Sequence, residues 1–387
     1  MPIRTTMACM VLLLLLGLLA PCGDADEAPA QREAARPLLY VAVGPHATHV
    51  ILGTLHISDT RVSIPHPLVA RALSGAAELV AELAFDPAAQ MGVRAAGQLP
   101  RNRPLETVLG PALTKRVTAL LKHFGRDLDA WQRTKPWLLE HHLGELLAPK
   151  ATRDTSFLDA RLQRMAKERG IAVVGLETAE EQTRILDDYP LKVQVAFLEE
   201  TVSLVEADLR DGTNAVEDMI QAWRSGDAER LLEEVRRYYD FDLERDRRLF
   251  EQIHDARNER MLTRLAAHVA RAPDRLRLVA VGAAHLPGTR GMLRLLEDQG
   301  YALWRVRTEA DLPRSHAAAL VEARRRETAA RTAAQVGADA DIKQVEQASR
   351  CPVPTIRRSP GRCRPCVRRR CLPRWCWPSR RCPPSYR

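Results

Sequence analysis

The chain has 387 residues and a net charge of +9, enough length for one large domain or two modest ones. Residues 351–387 hold eleven arginines and no acidic residue, so the remainder carries a net −2. The basic balance is therefore no evidence for nucleic-acid binding through the folded body. Cysteine is equally lopsided: Cys9 and Cys22 lie near the start, six lie from Cys351 onward, and none falls between Gly23 and Arg350. A disulfide-stapled body and a cysteine-ligated metal are both excluded, which leaves His, Asp, Glu or backbone ligands.

The first residues read as a secretory signal peptide over 1–25. Arg4 is followed by an apolar run from Met7 to Ala20 that includes Leu12–Leu16, then by Pro21-Cys22-Gly23-Asp24-Ala25. Cleavage fits after Ala20 or Ala25. An uncleaved anchor or lipidation at Cys22 is the alternative, with Pro21 arguing against lipidation. No second apolar run approaches membrane length, so a periplasmic or extracellular location is expected, with membrane attachment only through the N-terminus. Residues 26–36 read as a linker.

From there the pattern alternates strands and helices. Pro37–Val43 and His49–Leu52 form an expected hairpin about the Gly44-Pro45 turn. Pro67–Leu79 has helical spacing and Val80–Phe85 reads as a strand carrying Glu82, a carboxylate that needs a partner if buried. Leu105–Leu147 is helical with a new start at Pro136, and Phe157–Arg169 is a helix ended by Gly170. Ile171–Val174 is a short strand leading to Gly175-Leu176-Glu177-Thr178, after which Ala179–Leu186 is helical. Val193–Ala267 reads as nearly continuous helix broken near Asp211-Gly212 and Ser225-Gly226-Asp227. Arg275–Val281 is a buried strand, Gly291–Asp298 a helix and Tyr301–Val306 a closing strand. Residues 37–310 then form one α/β domain with a mixed central sheet and a large helical insertion at about 105–270. Residues 311–349 form a charged helical extension. Residues 350–387 read as a disordered basic tail, a small disulfide or metal module, or out-of-frame translation.

Twice a strand ends in Gly-x-x-His: Gly53-Thr54-Leu55-His56 and Gly282-Ala283-Ala284-His285. Glycine there is expected to let the chain turn sharply at the strand's end. Ligands of open α/β sheets bind at strand tips, and four tips here carry His56, Glu82, Glu177 and His285. Two imidazoles and one or two carboxylates suit a catalytic divalent metal with positions left for water. Plainer roles stay open. Either histidine could be a cap, Glu82 could pair with Arg257, and Glu177 could favour the dipole of the helix at Ala179. His46, His66, His141 and His142 are further imidazoles, as is His49, which is placed in a strand that could face solvent.

An ordered set of short motifs goes further. Leu52-Gly53-Thr54-Leu55-His56, Glu82-Leu83, Lys135-Pro136-Trp137, Gly175-Leu176-Glu177-Thr178 with Gln182, Arg257-Asn258 with Met261, Val281-Gly282-Ala283-Ala284-His285-Leu286 and Gly300-Tyr301 follow one another. The set resembles the TraB/GumN family, whose relatives include the Tiki metalloproteases and the pheromone-shutdown proteins. The resemblance spans Pro37 to Val306 and does not supply the Cys/Arg-rich tail. It implies an erythromycin-esterase-like α/β fold with His56, His285 and Glu82 on a metal. Manganese or cobalt is favoured by the resemblance, and zinc is compatible. Glu82 is expected to be a ligand or general base and Glu177 a second acid. Arg257 and Asn258 are expected to orient an acid or stabilise an oxyanion. The expected activity is metal-dependent hydrolysis, of peptide bonds above all. The alternative is a protein that sequesters a peptide or small ligand in the same cleft without cleaving it. A third reading gives the tail a role on nucleic acid or anionic surfaces, to be lost on deletion after Gln347.

Overall fold

A computed structural model describes residues 36–148, 152–154 and 156–349. The expected signal peptide, the linker up to residue 35 and the Cys/Arg-rich tail lie outside the described residues. Six strands form one mixed sheet: β1 (Leu38–Gly44), β2 (Ala47–Thr54), β3 (Glu78–Leu83), β4 (Ala172–Glu177), β5 (Leu276–Gly282) and β6 (Ala302–Arg305). Their order is β4-β3-β5-β2-β1-β6. β2, β5, β3 and β4 run parallel, whereas β1 is antiparallel to both its neighbours. Every residue of β2, β3 and β5 is buried, as their nearly continuous apolar sequences require of parallel strands covered on both faces. The edge strands β4 and β6 are partly exposed.

The parallel arrangement brings the C-terminal tips of β2, β3, β4 and β5 to one edge. Thr54 pairs with Gly282, and Leu83 with Glu177. Helices from the intervening sequence latch these tips. The Trp223 indole, in the helix Ala215–Ser225, donates to the Gly53 carbonyl at 2.9 Å. Gln163, in the helix Leu158–Glu168, donates to the Leu83 carbonyl and accepts from the Phe85 amide, both at 2.8 Å.

Several expected boundaries move. The helix from Pro67 stops at Gly75, and Leu79 belongs to β3. Ala76 is already extended, and the Ala77 amide bonds to the Leu276 carbonyl at 2.8 Å, so sheet pairing overrides the helical spacing. A helix at Pro87–Ala96, capped by Asp86, is additional to the elements read from the sequence. The long helical stretch also breaks between Arg236 and Glu244. Downstream it consists of Glu244–Phe250, a π-turn at Glu251–Asp255 and Ala256–Arg271. The described residues up to Ala329 form one compact unit, and those from Ala330 a second. The expected charged extension is helical from His316 to Ser349. Among the described residues, no helix is long and apolar enough to cross a membrane.

Candidate functional site

Two apolar strands deliver the histidines. β2 and β5 are adjacent and parallel, so the Gly-x-x-His segments that follow them emerge side by side. The glycines act differently from the sequence expectation. Neither has positive φ, so neither is needed for a left-handed turn. At Gly53 an added Cβ would stand 2.8 Å from Leu286 Cδ1 and 3.0 Å from Ala283 Cα, so glycine permits the close packing of the two tips. At Gly282 an added Cβ would lie 3.4 Å from Glu82 Oε2, 3.4 Å from His285 Cδ2 and 3.5 Å from His56 Nε2. The missing side chain opens a small cradle faced by Glu82 Oε2, His56 Nε2 and the edge of the His285 ring.

In that cradle His56 Nε2 and His285 Nε2 each lie 3.9 Å from Glu82 Oε2. The other nitrogen of each ring is held by protein. His56 Nδ1 is 2.9 Å from Asp159 Oδ2, whose partner oxygen accepts from the Thr54 hydroxyl at 2.9 Å. His285 Nδ1 donates to Asn258 Oδ1 at 2.7 Å, and Asn258 Nδ2 donates to the Arg290 carbonyl at 2.8 Å. This assignment leaves the His285 Nε2 lone pair facing the cradle, buried and without a hydrogen-bond partner. A carboxylate or amide behind each imidazole is what metal-binding histidines use to fix tautomer and ring orientation.

The carboxylates are organised around one guanidinium. Arg257 is fully buried and bonds to Glu82 Oε1, to Glu177 through Nε at 2.9 Å and Nη2 at 2.6 Å, and to the Ile253 carbonyl through Nη1. Gln182 Nε2 bridges Glu82 at 3.0 Å and Glu177 at 3.3 Å, and the Gly282 amide donates to Glu82 Oε2 at 2.9 Å. Burial would raise the Glu82 carboxyl, but Arg257 and the two imidazoles outweigh it and hold it well below the usual carboxylate range. Burial would likewise lower His56, but Asp159 and then Glu82 hold it up at about 10. His285 has no carboxylate on Nδ1, so burial and then Arg257 push it down to about 3.

His56, Glu82, Glu177, Arg257, Asn258 and His285 therefore meet at one end of the sheet. Arg257 and Asn258 bond to Glu82, Glu177 and His285, a geometry that fits orientation of those three groups. The other histidines are elsewhere. His46 is exposed. His66 caps a helix by accepting from the Leu68 amide at 3.1 Å. His141 and His142 lie beside Glu145, at 3.6 and 3.1 Å. His49 does not face solvent: it is buried and stacked on Tyr301.

Two groups at the site escaped the sequence reading. Asp159 stands in the first turn of the helix Leu158–Glu168, and nothing in the spacing ties it to His56. His254 sits on the π-turn with its ring centre 5.4 Å from that of His285.

Among the described residues, no group of three or more His, Cys, Asp or Glu side chains is already drawn together at metal-binding geometry. The donor set nonetheless fits a divalent ion. It offers a buried imidazole lone pair without a partner on His285, a second imidazole on His56 and an ionised carboxylate on Glu82, around space that a Cβ would fill.

The chain is 27% identical over 303 residues to the protein named Metalloprotease TIKI2 from Danio rerio, a match covering 66% of this chain. It spans only 58% of that relative's length. No solved structure matches. Residues 38–305, from the start of β1 to the end of β6, match the TraB/PrgY/gumN family, which takes in the whole sheet and every site residue above, and the chain belongs to that family.

Proposed function

We propose that this protein is a divalent-metal-dependent hydrolase that cleaves peptide bonds. The observation that carries the reading is the convergence of His56 Nε2 and His285 Nε2 on Glu82 Oε2, each imidazole backed by its own partner. The named metalloprotease among its relatives supports the same class. When bound, the ion would supply Lewis acidity and lower the pKa of its water. His56, His285 and Glu82 would hold it, with Asp159 and Asn258 fixing the two rings. Arg257 keeps Glu82 ionised, so Glu82 suits a ligand better than a proton acceptor. Glu177 is the second carboxylate, clamped by Arg257 and 3.6 Å from the half-exposed Arg260. A cavity of about 440 Å³, lined by Glu181, Tyr189, Gln252 and Arg260 among others, reaches Glu177 only through Arg260. The N-terminal sequence supports action in the periplasm or outside the cell.

One feature favours a second reading, capture of a peptide or small ligand without cleavage. Both carboxylates of the cluster are already bonded to Arg257 and Gln182, which leaves neither free as a general base. Metal analysis of wild type and His285→Ala tests the shared premise: the wild type should retain close to one ion and the variant far less. Incubation with a peptide library and Mn²⁺, with EDTA as control, then separates the readings. New EDTA-sensitive fragments support the hydrolase; retained binding with unchanged peptide masses supports capture and refutes cleavage.

A further inference from the structure

The cradle has a third imidazole beside it that the reading above does not use. His254 is 2% exposed, and neither ring nitrogen has a hydrogen-bond partner. Its ring stacks on Phe250 at 4.4 Å on one side and faces His285 on the other, with centres 5.4 Å apart and planes tilted by 47°. Two buried ring nitrogens without partners are costly, and such groups call for an explanation. The other two imidazoles at the cradle each commit one nitrogen to a side chain and turn the second inward; His254 commits neither.

The backbone supplies a reason for its position. His254 lies in the π-turn Glu251–Asp255, a departure that concentrates at functional sites. One inserted residue rotates everything after it by about 100° on a helix of 3.6 residues per turn. Phe250, Ile253 and His254 before the end of the turn, and Arg257 and Asn258 after it, are all buried. The helix thus gives up regular geometry where it presents His254 together with the two residues that orient Glu82, Glu177 and His285.

Two imidazoles bound to one ion through bonds of about 2.1 Å place their ring centres about 5 Å apart. The separation of His254 and His285 is close to this. We propose that His254 is a third nitrogen ligand of the ion held by His56, Glu82 and His285. The inference rests on the metal reading above and sharpens it. Three imidazoles and one carboxylate select an ion that accepts nitrogen, such as Mn²⁺, Co²⁺ or Zn²⁺, over Ca²⁺ or Mg²⁺, which require oxygen.

The test uses the full chain and reads the ion directly. Co²⁺ is titrated into wild type, His254→Ala and His254→Gln, following the visible absorption of the bound ion and its Kd by equilibrium dialysis. Loss of a ligand should change the absorption spectrum and weaken Co²⁺ binding by a hundredfold or more, beyond the loss expected for a group that only orients a ligand. Pulsed electron paramagnetic resonance on wild type loaded with Cu²⁺ requires no variant and should count three coupled imidazoles. Two coupled imidazoles, or a variant with unaltered Co²⁺ spectrum and Kd, overturns the inference and leaves the metal reading standing. Failure of wild type to take up either ion overturns both.

Discussion

Arg257 is the residue whose removal should reveal how the site is held together. Its guanidinium is fully buried between two buried carboxylates, Glu82 and Glu177. Arg257→Met keeps the apolar stem and deletes the charge, leaving both acids without their cation. Breaking a buried ion pair by removing one partner costs about 3–5 kcal/mol, against a total stability of about 5–15 kcal/mol. The assay is urea unfolding in EDTA from pH 4 to pH 7.5. In wild type the depressed Glu82 pKa contributes stability that is present above the ordinary value of 4.5 and lost as pH falls. In Arg257→Met that contribution shrinks, because the strongest influence holding the Glu82 carboxyl down is gone while burial still raises it. The gap between the two proteins should widen from pH 4 to pH 7. Adding Glu82→Gln and Glu177→Gln should recover much of the loss at neutral pH and flatten the variant's profile. A loss below about 1 kcal/mol at pH 7, the range of an exposed pair, or a gap independent of pH, would refute the reasoning.

Three further outcomes follow from the same geometry. Gly282→Ala should fold, because φ −52° and ψ 132° suit any residue and its Cβ meets only ordinary contacts, yet it should abolish ion uptake by filling the cradle; normal metal content in a folded variant would refute the placement. Asp159→Asn should weaken metal binding by about 10–100-fold through its hold on His56, with little change in secondary structure, as measured by equilibrium dialysis and circular dichroism. Glu140 lies in the helix Pro136–Leu146 and bonds to the Thr201 hydroxyl at 3.1 Å, and burial pushes its carboxyl up to about 8. The folded state then holds a proton that the unfolded chain releases above about 4.5, so Glu140 costs stability progressively between pH 4.5 and 8. Glu140→Gln should gain stability over that window, by at most about 5 kcal/mol, with no gain below pH 4; parallel stability curves would contradict it.

The sheet was legible because its central strands are short apolar runs closed by glycine and polar residues, a signal that survives without any knowledge of partners. The convergence of His56, Glu82, Glu177 and His285 was legible for the same reason: each follows such a run, and parallel strands must align their tips. What failed was local geometry decided from a distance. Leu79 keeps the helical spacing of Pro67–Gly75, but pairing with β4 and β5 claims it for the sheet. The helix Pro87–Ala96 had a readable start in Asp86-Pro87, an N-cap followed by proline, but its alanine-rich body gave no apolar stripe to confirm it. Asp159 and His254 could not be read at all. A carboxylate in a helix's first turn is common, and a π-turn has no sequence signature, so their approach to His56 and His285 is a product of tertiary packing alone.

The spread of the site along the chain bears on how the protein comes to be active. Its groups stand at positions 56, 82, 159, 177, 254, 257 and 285, and no two neighbouring elements suffice to assemble it. Closing chain segments of this length is slow and entropically opposed until the sheet itself has formed. Ion capture should therefore follow folding instead of nucleating it, adding to the lifetime of the native state by mass action without hastening its formation. A nascent or truncated chain that ends before β5 would possess most of these side chains and none of the site.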